Sequence, residues 1–163
     1  MIRVGTKDTV VLLTVGMQLQ TQPIAEFSET ARRQHRRIEL GIALAWSVLE
    51  RASGRLESWL AGQTTYPWRS HAWLGHHHTL RCDAFPPIRS VPNFEAMLLR
   101  REVPGAPSID LKPFRRDPVT VLWLTPITEA ERSLARERGS EELSKRLTAA
   151  GHGWAHRDRK PVV

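Results

Sequence analysis

The 163 residues of this chain suit one domain, a length that buries roughly 68–70% of the surface the unfolded form exposes and so needs no metal or disulfide staple. A composition 40% hydrophobic and 25% charged excludes general disorder, and the single cysteine, Cys82, excludes a disulfide scaffold and suits a reducing, cytoplasmic compartment. The formal charge of +7, with only four lysines among 24 basic residues, attracts an acidic protein surface, nucleic acid or anionic lipid equally well.

Thr9 to Val15 is an apolar, β-branched run ending at Gly16, which predicts a buried strand. It is too short for the ~18 residues of a membrane span, and no small-residue cleavage site follows it, so a soluble protein is expected. Gln18 to Ala31 reads as loop. From Arg36 to Leu44 apolar residues alternate: Ile38, Leu40 and Ile42 share one face while Arg37, Glu39 and Gly41 take the other, the pattern of a half-buried strand. The period then changes. Val48, Leu49, Ala52, Leu56, Trp59 and Leu60 recur at helical spacing between Ser47 and Gly62, with Gly54 as the weak point. Tyr66 to Gly75, with Pro67, Trp68 and Trp73, reads as a connection packed on the core.

Short strands are expected at His78 to Cys82 and Phe94 to Leu99, separated by Pro86, Pro87 and Pro92. Val103 to Pro118, rich in proline, is expected to be loop. Val119 to Leu124 is apolar on both faces and predicts a central strand. Thr128-Glu-Ala-Glu131 is a capping box opening a helix that stops near Gly139. Ser140 then caps a second helix, with Leu143 and Leu147 inward and Gly151 as its stop. His152 to Val163 reads as a polar, basic tail.

His71, His76, His77, His78, Cys82 and Asp83 form the densest group of metal-ligand residue types. Strand alternation through His78 to Cys82 puts His76, His78 and Cys82 on one face, a donor set that zinc accepts. The spacing matches no zinc motif, and a packed histidine run beside an inert buried thiol is the plainer reading. Glu129, Glu131, Glu141 and Glu142 are explained by helix starts. No phosphate loop, nucleophile elbow or dinucleotide fingerprint is present. The run Arg32, Arg33, Arg36 and Arg37 can meet phosphates or an acidic protein surface. Of the six tryptophans, Trp59 and Trp123 are core by pattern, whereas Trp68, Trp73 and Trp154 are candidate interface anchors.

Pro113-Phe-Arg-Arg-Asp-Pro-Val-Thr-Val-Leu-Trp-Leu-Thr-Pro-Ile-Thr-Glu-Ala-Glu131 resembles the late strand and helix start of the suppressor-of-fused domain family. Gly139-Ser-Glu-Glu-Leu143 and the closing Asp158-Arg-Lys-Pro-Val162 continue the likeness. Leu13-Thr-Val-Gly-Met17 and Arg37-Ile-Glu-Leu40 resemble its earlier strands. In order, these pieces span nearly the whole chain, and they are similar to those of the compact bacterial members. The resemblance implies an α/β domain of the α+β type over 1–163. Its core would be 9–151, with a mixed, mainly antiparallel sheet, helices packed on it, two of them C-terminal, and a basic tail at 152–163. It also implies a protein without catalytic residues or cofactors that binds another protein: animal members hold a transcription factor, and many bacterial members are described as immunity proteins that neutralise a toxin. The expected partner is an acidic protein, met by Arg32, Arg33, Arg36, Arg37, Trp68 and Trp73. A nucleic-acid-binding regulator and a metal-dependent enzyme at His76, His78 and Cys82 are the alternatives, and no membrane partner is expected.

Overall fold

The computed structural model describes residues 2–5, 8–23, 29, 35–52, 55–82, 94–107, 109, 111 and 117–163. Among them the chain runs β1 (Ile2–Gly5), β2 (Thr9–Leu13), a 3-10 turn (Met17–Leu19), β3 (Arg37–Ala45), α1 (Trp46–Ala52), α2 (Arg55–Gln63), α3 (Tyr66–Arg69), β4 (Thr79–Arg81), β5 (Ala96–Arg100), β6 (Val119–Ile127), α4 (Glu129–Arg138), α5 (Ser140–Ala149) and β7 (Ala155–His156). The strands form one mixed sheet in the order β1-β2-β3-β6-β5-β4. The β3–β6 and β3–β7 pairs are parallel and the others antiparallel. The α+β architecture implied by the motifs is the one observed.

Each face of the sheet buries its own apolar set. On one side Ile38, Leu40, Ile42 and Leu44 of β3 join Leu122 and Leu124 of β6 and Met97 and Leu99 of β5, and the helical stripe Val48, Leu49, Ala52, Leu56 and Leu60 packs on them. That stripe belongs to α1 and α2. Ser53 and Gly54 between them lie outside the described residues. On the other side Ala96, Leu98 and Ile127 receive Ala135, Leu143 and Leu147 from α4 and α5, while Ala43 and Trp123 meet Val103 and Trp154.

Three expectations are corrected. β3 is buried along all nine residues, not half-buried: it lies inside the sheet, and its polar face is satisfied internally, Arg37 by Asp117 and Glu39 by the turn after β2. Ser140 is the first residue of α5 and caps nothing. Gly139, at φ +92°, occupies the cap position without a side-chain bond. The C-terminal segment, expected outside the core as a polar, basic tail, is joined to the sheet. Ala155 and His156 pair with Ala43 and Leu44 of β3, and Arg159 is 9% exposed and ion-paired to Glu131. By contrast, the capping box at Thr128 is present in both directions, with Thr128 Oγ1 accepting from the Glu131 amide at 3.2 Å and the Glu131 carboxylate accepting from the Thr128 amide at 2.9 Å.

The strands expected near His78 to Cys82 and Phe94 to Leu99 are β4 and β5, while Pro86, Pro87 and Pro92 lie outside the described residues. Among the described residues no helix is long and apolar enough to cross a membrane.

Candidate functional site

The end of the arginine-rich run, His35 to Arg37, and the Trp68/Trp73 segment meet where β3 begins. Arg32 and Arg33 lie outside the described residues, but His35 to Arg37 are joined to the tryptophan segment by a fully buried glutamine. Gln22 Nε2 donates to the carbonyls of His35 at 2.6 Å and Leu74 at 3.0 Å, and its Oε1 accepts from the Leu74 amide at 2.7 Å. Every polar atom of that amide side chain has a partner, so it fixes two loops distant in sequence. Trp68, half-buried, donates from Nε1 to the Thr21 carbonyl at 3.0 Å. Trp73, also half-buried, lies between the rings of His35, stacked at 5.8 Å, and His78, edge-on at 4.3 Å.

The arginines beside this platform differ in availability. Arg37 is 6% exposed, with Nε 2.8 Å from Asp117 Oδ2 and Nη1 donating to the Gln18 carbonyl at 2.7 Å, so it is a strut and not a contact residue. Arg36 shares the same carboxylate at 3.1 Å but keeps a side chain 36% exposed. The neighbouring Arg69 and His71 are exposed.

The histidines do not form the expected strand face. His77 has φ +68°, a left-handed conformation that breaks two-residue alternation, and β4 starts only at Thr79. His76 stacks on His77 at 3.7 Å and accepts the Arg101 amide on Nδ1 at 3.1 Å, while His78 turns onto Trp73. Cys82 is buried in the core. Among the described residues no group of three or more histidine, cysteine, aspartate or glutamate side chains is placed to share a metal ion, and Asp83 lies outside them. His76, His78 and Cys82 are therefore not assembled as a ligand set.

Burial pushes His35 down to about 4, helped by the Arg101 charge and by His76 and His78. It pushes His76 down to about 4 as well, with His77 and Arg101 adding to the effect. His77 and His78 are lowered too, in each case chiefly by burial. At neutral pH the cluster is uncharged. The partly exposed indoles of Trp68 and Trp73 are thus fixed, Trp73 with a neutral imidazole on either side, and Arg36 lies at the rim, residue types that are enriched at protein interfaces.

Two polar residues escaped the pattern reading. Glu39, 1% exposed, stands on the polar side of the β3 alternation, and Arg100, 2% exposed, is a buried charge at the end of β5. A signal existed for Arg100: in β5 it shares a face with Ala96 and Leu98, so period-2 counting places a charge at an apolar position.

The family model for Suppressor of fused protein (SUFU) matches residues 1–159. The chain belongs to the suppressor of fused family. A crystal structure of a SUFU homologue from Neisseria gonorrhoeae is similar in fold, with a TM-score of 0.68 at 17% identity over 96% of this chain and 72% of that one. No curated protein matches the chain.

In this suppressor of fused domain the resembling sequence pieces are contact partners. Glu39, from Arg37-Ile-Glu-Leu40, accepts the Thr14 hydroxyl at 2.6 Å and the Gly16 amide at 2.8 Å, both from the Thr-Val-Gly-Met turn. Gly16 adopts φ +113°, which favours glycine. Glu131, from the late helix start, holds Arg159 of the closing segment through Nη2 at 2.7 Å.

Proposed function

We propose that this suppressor of fused domain is a non-enzymatic, cytoplasmic protein-binding module that sequesters an acidic protein partner, of the immunity type in which that partner is a toxin. The supporting observation is that the partly exposed Trp68, Trp73 and Arg36 are tied together through the Thr21 and Gln22 backbone and side-chain contacts and the buried His35 ring. Tryptophan and arginine are the residue types that dominate interface hot spots. Excess positive charge speeds encounter with an acidic surface and disfavours basic competitors.

The test is affinity capture from native lysate, with and without nuclease and at low and moderate salt, comparing the wild type with a W68A/W73A variant shown by circular dichroism to be folded. The expected result is a discrete protein that survives nuclease and moderate salt and binds the variant about tenfold or more weakly. Retention that vanishes with nuclease would overturn the reading in favour of nucleic-acid binding, whose affinity falls steeply with salt. A partner held equally by the variant would move the contact to a sheet edge. β1, an edge strand with Val4 59% exposed, is the place where a partner strand would pair.

A further inference from the structure

The opposite face of the sheet carries a cavity of about 780 Å³ between β6, the end of α5 and the loop after β5. Apolar side chains including Val103, Ile109, Val121 and Trp123 line much of it, and Arg100, Arg101, Glu102, Thr120 and Thr148 contribute the polar wall. Arg100 is 2% exposed. Its Nη2 donates to Thr148 Oγ1 at 3.0 Å, whereas Nε and Nη1 are buried without a hydrogen-bond partner.

The other buried arginines differ. Arg37 is paired with Asp117 and Arg159 with Glu131. Among the described residues Arg100 has only a neutral hydroxyl. A buried charge without a counter-ion is strongly unfavourable, and burial indeed lowers the Arg100 guanidinium from its ordinary range. The acidic side chain nearest in sequence, Glu102, is exposed and engaged by Arg101 at 2.8 Å. Among the described residues, Nε and Nη1 of Arg100 thus have no hydrogen-bond partner, and they lie beneath the surface of a cavity wall that includes an indole.

We propose that this cavity binds a carboxylate carried on an apolar body, with Arg100 as the anchoring cation, Thr148 orienting its guanidinium, and Trp123 and Val121 covering the ligand's apolar part. Charge-assisted donation from an arginine to a carboxylate is among the strongest polar contacts available. The wall of Val103, Val121 and Trp123 makes a carboxylate on a hydrocarbon frame a better fit than a highly hydrated phosphate. The carboxylate can belong to a free small molecule or to an acidic side chain inserted by a partner. This site is separate from the Trp68/Trp73 platform and does not depend on it.

The test is an NMR titration of the full chain with N-acetylglutamate, with N-acetylglutamine as the uncharged isostere, and with a short capped peptide carrying one glutamate between leucines. The Arg100 Nε–H and Trp123 indole N–H resonances, assigned from R100Q and W123F spectra, are the readouts. Both are expected to shift saturably with the carboxylates and not with the amide, and R100Q is expected to bind about tenfold or more weakly. Equal binding of small carboxylate and peptide identifies a small-molecule site, and binding of the peptide alone identifies an inserted side chain. The proposal is overturned if neither carboxylate gives a saturable shift, or if the amide binds equally well. A second measurement is independent of ligand choice. Because the charge is uncompensated in the empty cavity, R100M should melt at or above the wild-type temperature, and a marked drop would show that Arg100 serves the core instead.

Discussion

Glu131 has no exposed surface and accepts from four donors: the Thr128 amide at 2.9 Å, the Val162 amide at 3.0 Å and both terminal nitrogens of Arg159. Arg159 in turn donates to the Pro126 carbonyl at 2.9 Å and lies 5.1 Å over the Phe94 ring. Burial alone would raise the Glu131 carboxyl, but the Arg159, Thr128 and Val162 hydrogen bonds and the Arg159 charge outweigh it and hold the group below the usual range. Removing one member of such a pair strands the other charge in a water-poor site, a loss of about 3–5 kcal/mol. E131Q is therefore expected to lose on that order in urea unfolding at pH 7. A loss under 1 kcal/mol would mean that Arg159 finds water when its partner is neutralised. Half of this was legible in the sequence. The spacing Thr128 to Glu131 specifies the capping box, but Glu131 and Arg159 are 28 residues apart, and no periodicity connects a helix start to a charged residue in a polar terminal segment.

At the scale of elements, the capping box and the buried pair share one carboxylate, and their contributions separate by mutation. T128A removes the hydroxyl that accepts the Glu131 amide but leaves Arg159 paired. It is expected to cost only about 1 kcal/mol, the usual worth of an N-cap. A T128A loss equal to that of E131Q would show that the cap positions the carboxylate for Arg159.

Local grammar read the elements well where one principle dominated. The doubly apolar Val119 to Leu124 run is the heart of β6, and the i, i+3, i+4 stripe is the buried face of α1 and α2. It failed where tertiary contact overrode pattern. Alternation in β3 suggested a wet face, but Arg37 and Glu39 are buried by long-range partners, and an added Cβ at Gly41 would come within 3.0 Å of the Trp123 ring. The His76 to Cys82 face failed for a backbone reason, the positive φ at His77. Trp68 and Trp73 were recognisable by type, but the Trp73 stack on His35 is a long-range contact, and the loops around it are tied by Gln22, a residue with no signal of its own.

For the whole molecule, the number of buried or half-buried neutral histidines sets the acid response. His35 and His76 sit at about 4 and His156, edge-on to Phe94, at about 3, each lowered first by burial and then by nearby positive groups. In the unfolded chain the same side chains titrate near 6.5. Between those limits the unfolded state binds more protons, so stability rises with pH there and is lost as pH falls from 6.5 towards 4. Above 6.5 both states are neutral and these groups add no slope. His156 alone, 6% exposed, should remove about 2 kcal/mol between pH 7 and pH 5. Glu131 contributes only at lower pH, since its folded carboxyl lies below the ordinary range. Urea unfolding at pH 7 and pH 5 should therefore show a clear fall in midpoint for the wild type. H156F, which keeps a ring against Phe94 but cannot titrate, should lose about 2 kcal/mol less over the same interval. Equal slopes for the two proteins would show that His156 protonates in the folded state at little cost, by admitting water to the C-terminal segment that β7 ties to β3.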